Sequence, residues 1–458
     1  MRPLPVSRRV ASAIILVASA VAAAGGGALP DPASPAVWRK PALLTTTDAP
    51  LIEPVVLADS SGAVHLFFAA APAGQARLTS TLRYARWADG RWSDPVTVLA
   101  PRNAGPIVFP SLALDDRGWL HAVYAGPHWN RIEHRRVPIG EIADAEAWSL
   151  PTTLSEDSGL HSAVTAGAGD KVYVLYASHS HHVFFHRSED GGRTWSAPLR
   201  LSDLDAAKIA CDNPHLSVDA RGRLHAVWTQ FRLPIGWPPV GSYYRRSDDG
   251  GRTWLPGREV AGEGNGQISV IARGADEVHL VWTAVDTGDR MHSRSPDGGT
   301  TWSPPLAIGN GVRGAFTRGL ALAFDGGGGL HLVTSTGDLG GEQPIVHTVW
   351  DGTAWAEPER ISARVAGARP KGLPSLAIGG GNVLHVAYKA DDEAIWYTQH
   401  KIAAPAIAAR PVPTRVTDLW TRAADTSLPF RVLVIVLVFL GGEATVSWLR
   451  RRQRETRS

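Results

Sequence analysis

The 458-residue chain carries 46 Lys and Arg against 43 Asp and Glu, with 47 Gly, 33 Pro, 17 Trp and one cysteine. A lone thiol excludes an internal disulfide, so stability must come from packed apolar surface. The basic leader carries three positive charges and the tail after Leu449 a net four, which leaves the body between them near −4 and excludes nucleic acid as an implied partner.

The N-terminus reads as a secretory signal over residues 1–28. Arg2, Arg8 and Arg9 precede an uncharged stretch from Val10 to Ala24, with small residues at Ala20, Ala22 and Ala24. A propeller-like body is expected over residues 35–402. It opens on Trp38, Pro41 and Leu44, a strand pattern that recurs later in the chain.

Seven copies of a second-strand core then follow, at Val64-His65-Leu66, Leu120-His121-Ala122, Val172-Tyr173-Val174, Leu224-His225-Ala226, Val278-His279-Leu280, Leu330-His331-Leu332 and Leu384-His385-Val386. Their spacing of 52 to 56 residues is that of one four-stranded unit per repeat. An alternating segment precedes each copy, as in Pro110–Asp115 and Pro214–Asp219, and a third strand follows it, as in Val183–Arg187. A fourth strand begins with Trp, at Trp92, Trp148, Trp195, Trp254, Trp302 and Trp355. Only six copies follow a repeat; the seventh is Trp38, ahead of the first. A ring of sheets must join its ends, so this early strand is expected to complete the last blade beside Ile395. The fold class is therefore all-β, a seven-bladed β-propeller of four-stranded blades closed by an N-terminal strand, plus a C-terminal transmembrane helix. The repeated histidine reads as part of the packing unit, with its imidazole expected to hydrogen-bond a neighbouring blade. Cys211 reads as a small buried hydrophobe.

After a linker over 403–427, residues 428–449 are long enough to cross a bilayer. Arg431 can snorkel, whereas Glu443 needs a partner or a tilted helix. The tail, 450–458, holds five arginines, as expected of a cytoplasmic segment. The chain thus reads as exported and anchored in the cytoplasmic membrane, with the propeller in the periplasm or outside the cell.

Three hairpins share an octet: Ser188-Glu-Asp190-Gly-Gly192-Arg-Thr-Trp195, Ser247-Asp-Asp249-Gly-Gly251-Arg-Thr-Trp254 and Ser295-Pro-Asp297-Gly-Gly299-Thr-Thr-Trp302. The glycines supply positive-φ positions, and the Asp carboxylate can accept backbone N–H bonds within the turn. These octets resemble the Asp-box, or bacterial neuraminidase repeat, of the sialidase-like β-propeller superfamily. The resemblance spans essentially Trp38 to His400 and implies structural turns on the side opposite any active site. The chain departs from catalytic sialidases in counting seven units rather than six and in lacking their early Arg-Ile-Pro motif.

Loops on the face where inner strands begin form the expected ligand site. Residues there assigned to ligand binding are Asp212, Asn213, Glu263, Arg313, Arg318, Arg369, Lys371, His161, Trp129 and Trp237. If the resemblance extends to catalysis, Glu263, Arg318 and Arg369 occur in the family's chain order for its glutamate and later arginines. No tyrosine stands out as a nucleophile, since Tyr388 and Tyr397 read as strand residues. His179 and His181 alternate as if on one strand face, but no Cys or carboxylate stands at ligand spacing. No metal or other cofactor is expected. The preferred function is a non-catalytic ligand-binding or complex-assembly module, with a glycan or a protein as partner and the membrane held through the C-terminal helix. An exo-sialidase-like glycoside hydrolase and an accessory subunit of a membrane complex are the alternatives.

Overall fold

The computed structural model describes residues 37–46, 51–70, 80–100, 107–126, 131–157, 161–309, 320–337, 343–363, 374–391 and 394–405. The leader, most of the linker, the apolar stretch over 428–449, Trp129, Arg313, Arg318, Arg369 and Lys371 lie outside them. Among the described residues, no helix is long and apolar enough to cross a membrane.

A strand paired on both edges and packed on both faces must be apolar on both sides. The second strand of each repeat meets this condition: Val64–Ala70, Trp119–Ala125, Val172–Ala177 and Leu330–Ser335 are buried at every position. Around these strands the chain forms seven antiparallel sheets, taken here as blades 1 to 7 in order of their inner strands. The inner strands are Leu51–Ala58, Val108–Leu114, Ser162–Ala166, Ile209–Val218, Asn265–Arg273, Ala321–Phe324 and Ser375–Gly379. Outer strands shrink to two residues in blades 3, 5 and 6, at Leu199–Arg200, Leu306–Ala307 and Glu359–Arg360.

Blade 7 takes its outer strand from the beginning of the chain. Ala42–Thr46 pairs with Ala394–Lys401, and Thr45 stands opposite Ile395. The backbone N–H of Arg39 also donates to Gln399 O at 2.9 Å. The ring is closed as the Trp38 copy led one to expect.

The apolar core is divided into seven clusters, one at each interface between neighbouring blades, including that between blades 7 and 1. Strand alternation explains the division. In blade 1, Leu66 and Phe68 pack toward blade 7, while Phe67 packs toward blade 2.

The repeated histidines correct one expectation. Their hydrogen-bond partners lie in their own blade rather than in the next. His225 sets Nε2 at 3.5 Å from Asp219, where the first strand ends, and Nδ1 at 2.8 Å from Tyr244 OH on the third strand. His65, His121 and His331 repeat this arrangement with Asp59, Asp115 and Asp325, and His279 uses Glu277. The contact with the neighbour comes one residue further on. The third-strand aromatic meets the tryptophan of the next blade, as in Tyr244–Trp302 at 5.2 Å and His134–Trp195 at 4.9 Å. Even the closing joint follows the pattern, with His347 of blade 6 against Trp38 at 5.1 Å. Where the acid is replaced by Gly167 or Gly379, the blade carries Tyr173 or a histidine without a carboxylate partner, His385.

The three Asp-boxes are the turns anticipated. Asp297 Oδ1 accepts the N–H of Thr300 and Thr301 at 3.0 and 2.8 Å, and Oδ2 accepts Thr301 Oγ1 at 2.7 Å. These bonds hold its carboxyl well below the usual range. Asp190 and Asp249 make the same bonds. The second box glycine serves packing as well as φ: a Cβ on Gly192, at φ 81°, would stand 2.6 Å from the His134 ring of the preceding blade.

Candidate functional site

Inner strands all begin on one face, here the entry face; strands alternate direction, so the Asp-box hairpins lie on the opposite one. At the entry end of the channel is a cavity of about 320 Å³. Its wall has two halves. Blades 3 to 5 contribute His161, Asn213, His215 and Gln267, while blades 6, 7 and 1 contribute mainly leucine, proline and valine, with Ser375 accepting the Val56 N–H.

Three of the wall residues reach the cavity through the same local device. The pairing of inner and second strands shifts between Val108 and Ser111, between Asp212 and His215, and between Gly266 and Ser269. At each bulge one residue adopts a positive φ: Phe109 at 47°, Asn213 at 53° and Gln267 at 55°. None is glycine, so each position costs about 1 kcal/mol, least for Asn. The bulges are tied in place by hydrogen bonds between blades. The N–H of Gln267 donates to Thr229 Oγ1 of blade 4 at 3.0 Å, and that of Val164 donates to Ser111 Oγ of blade 2 at 2.9 Å.

The polar atoms these residues deliver are left unpaired. Asn213 Oδ1, Gln267 Oε1 and His161 Nε2 are buried with no hydrogen-bond partner, in residues only 9 %, 7 % and 7 % exposed. An unsatisfied buried polar atom costs about 1–3 kcal/mol. Three of them, two on strained backbone, converge on one cavity. Such a concentration marks a place shaped for something other than stability.

His161 is oriented from the next blade. Its Nδ1 lies 2.5 Å from Asp212 Oδ1, which also accepts the N–H of Asn213 at 2.8 Å. A carboxylate only accepts, so Nδ1 carries the proton of this bond and Nε2 is the ring atom left toward the cavity. Phe109 packs on the imidazole at 4.9 Å. His215 is open to the bore, yet protein surrounds the bore on every side. That burial, with His161 nearby, pushes its imidazole down to about 4.

The other assigned residues separate from this centre. The Glu263 carboxylate is 63 % exposed and meets Arg232 at 3.5 Å on the rim. Trp237 is 43 % exposed at the tip of the blade 4 hairpin. The two strands of that hairpin run nine residues each, against six in blade 3, so it stands on the order of 10 Å proud at about 3.3 Å per residue. Asn265 is tied to structure, accepting Trp282 Nε1 at 2.9 Å. His181 occupies a turn at φ 67° with Nδ1 on Ala206 O, so it does not alternate with His179 along a strand. Among the described residues no cluster of metal-ligating side chains occurs. Cys211 is buried, and burial pushes its thiol up to about 12.

Phe109 and His215 were not singled out by sequence reasoning, and Gln267 was placed on an entry loop without being assigned to ligand binding. The available signal was register: Phe109, Asn213 and Gln267 each stand immediately before the Pro or Ile that starts the regular inner strand. Nothing in the identity of Phe or Gln announces a positive φ.

Residues 31–220 match a family model described as a BNR repeat-like domain. No curated protein matches the chain. Among solved structures, an ulvan lyase bound to a saccharide of glucuronic acid and sulfated rhamnose has TM-score 0.54 at 13% identity, covering 82% of this chain and 98% of that one. A Hadza microbial sialidase has TM-score 0.46 at 14% identity, covering 77% of this chain; the chain spans 66% of that sialidase. A protein of unknown function from Dyadobacter fermentans has TM-score 0.47 at 15% identity, covering 80% and 99%. At such identities the likeness is one of fold.

Proposed function

We propose that this seven-bladed β-propeller, whose residues 31–220 match a BNR repeat-like domain, is a non-catalytic saccharide-binding module, displayed outside the cytoplasmic membrane, which takes its ligand at the entry-face cavity. The observation that carries this reading is the convergence of His161 Nε2, Asn213 Oδ1 and Gln267 Oε1, buried and unpaired, from three successive blades. A sugar suits such a cavity: its hydroxyls satisfy the polar half, and its C–H face packs on the prolines and leucines opposite. A saccharide-bound ulvan lyase of similar fold supports the reading by analogy alone.

Catalysis of the sialidase kind gains no support from the cavity. Its described lining holds no tyrosine, arginine or glutamate, and Glu263 sits on the rim. The tether is compatible with an accessible site. Residues 402–405 lie on the box face, where Gly327 of blade 6 abuts Pro405, so the described chain leaves on the side away from the cavity.

Calorimetric titration with a panel of mono- and oligosaccharides tests the proposal. Binding should be lost in the Asn213→Gly/Gln267→Gly double variant while its melting temperature stays level or rises. Turnover of a fluorogenic sialoside, abolished by Arg318→Ala or Arg369→Ala, would replace this reading with the hydrolase. Co-purification of a partner in mild detergent would favour the accessory-subunit alternative. Truncation after Thr426 should release a soluble body, and its retention in the membrane would contradict the anchor.

A further inference from the structure

Resting on that saccharide reading, the blade 4 hairpin extends the site: we propose that the ligand is an oligosaccharide, one unit of which sits in the cavity while a later unit stacks on Trp237. Strand register sets the two places at different heights on the entry face. Asp212, beside Asn213, stands opposite Thr229, and Arg232 lies three residues further along the same strand. At about 3.3 Å per residue, the turn over 233–238 begins about 10 Å above the level of Asn213. A single ring seated at Asn213 ends short of Trp237, and only a chain spans both.

The tip is braced as a platform. Pro234, Pro238 and Pro239 each fix a backbone torsion. The N–H of Leu233 donates to Lys208 O at 2.7 Å within the blade, and that of Gly264 in blade 5 donates to Pro239 O at 2.9 Å. On this held turn Trp237 is 43 % exposed and Ile235 75 %, so neither contributes its full burial to the fold. An aromatic ring fixed in place before binding loses little freedom when the C–H face of a sugar stacks on it. Just below the tip, Arg232 and Glu263 meet at 3.5 Å, both more than half exposed, so donors and an acceptor for hydroxyls stand between cavity and ring. Other occupants fit less well. Two apolar side chains fall far short of the about 800 Å² per partner that a stable protein interface buries. The Glu263 carboxylate beside the tip disfavours an anionic bilayer, and the described chain leaves on the opposite face.

Monomers to hexamers of the cello-, malto-, manno- and chito-oligosaccharide series, titrated into the full-length protein in a non-glycosidic detergent, test this directly. In the best-binding series the hexamer should bind at least about tenfold more tightly than the monomer, the scale of one aromatic contact. In Trp237→Ala that gain should fall to within about threefold with monomer affinity unchanged, while Trp237→Phe keeps most of it. The Asn213→Gly/Gln267→Gly double variant should instead weaken sugars of every length; melting curves verify that all variants are folded. A hexamer no tighter than its monomer, or a gain unchanged in Trp237→Ala, overturns the inference and leaves the saccharide reading standing. Flotation with anionic vesicles, or a concentration-dependent dimer, that Trp237→Ala abolishes would give the tip to another occupant and overturn it equally. If no sugar of any length binds, both fall together.

Discussion

Gln267 shows how a single residue can be costly to the fold and still be kept. It has a positive φ, a buried amide oxygen without a partner and only a neighbouring threonine to steady its backbone. Gln267→Gly should relieve both strains at once, against the extra entropy glycine adds to the unfolded chain. We expect the melting temperature to hold or rise by a few degrees while saccharide affinity falls at least tenfold. Calorimetry and a thermal melt on the same sample check this, and a large drop in stability would mean that the residue serves packing. The Asp-box glycines should behave in the opposite way. Gly251 has φ 83°, and a Cβ there would collide with the Phe185 ring of blade 3. Gly251→Ala should therefore lower stability by about 2–4 kcal/mol in chemical denaturation, with binding by the folded fraction unchanged.

At the scale of the strand, the recurring acid–histidine–aromatic chain makes the propeller sensitive to acid. Burial holds His292, His331 and His385 at about 3, 4 and 3, below the 6.5 of a free imidazole. The unfolded chain therefore takes up protons that the fold refuses, and stability declines as pH falls below about 6.5. Burial alone would raise the carboxyls of Asp59 and Asp219, but hydrogen bonds, chiefly from His65 and His225, outweigh it and hold both at about 2. Their contribution is present above about 3.8 and is lost as pH drops below it, in the same direction as the histidines. Thermal melts between pH 7.5 and 4 should show a steady fall in melting temperature. A flat profile would mean that these imidazoles take up protons as readily in the fold as in the unfolded chain.

For the whole molecule, closure decides stability. Because the core is divided among seven interfaces, no central cluster can hold an open ring, and the Ala42–Thr46 strand carries the last joint. Removing residues up to 46 should cost several kcal/mol and expose the edge of Ala394–Lys401, read as a broadened melt and aggregation. Splitting the ring elsewhere by circular permutation, with the Trp38 strand fused after residue 405, should preserve both stability and binding.

What the sequence by itself determined about this protein is whatever repeats. Seven histidine- or tyrosine-centred strands, the early Trp38 copy and three Asp-box octets specify blades, their number and the way the ring shuts, because each blade solves the same packing problem and leaves the same apolar and turn pattern. The cavity follows the other logic. His161, Asp212, Asn213 and Gln267 come from three blades and become neighbours only when the ring closes, and the aim of two of them depends on bulges that nothing in Asn or Gln declares. Even the repeated histidines were legible as packing residues but not as partners of their own blade. Their bonding depends on how a side chain is directed across a sheet, which only the tertiary structure decides.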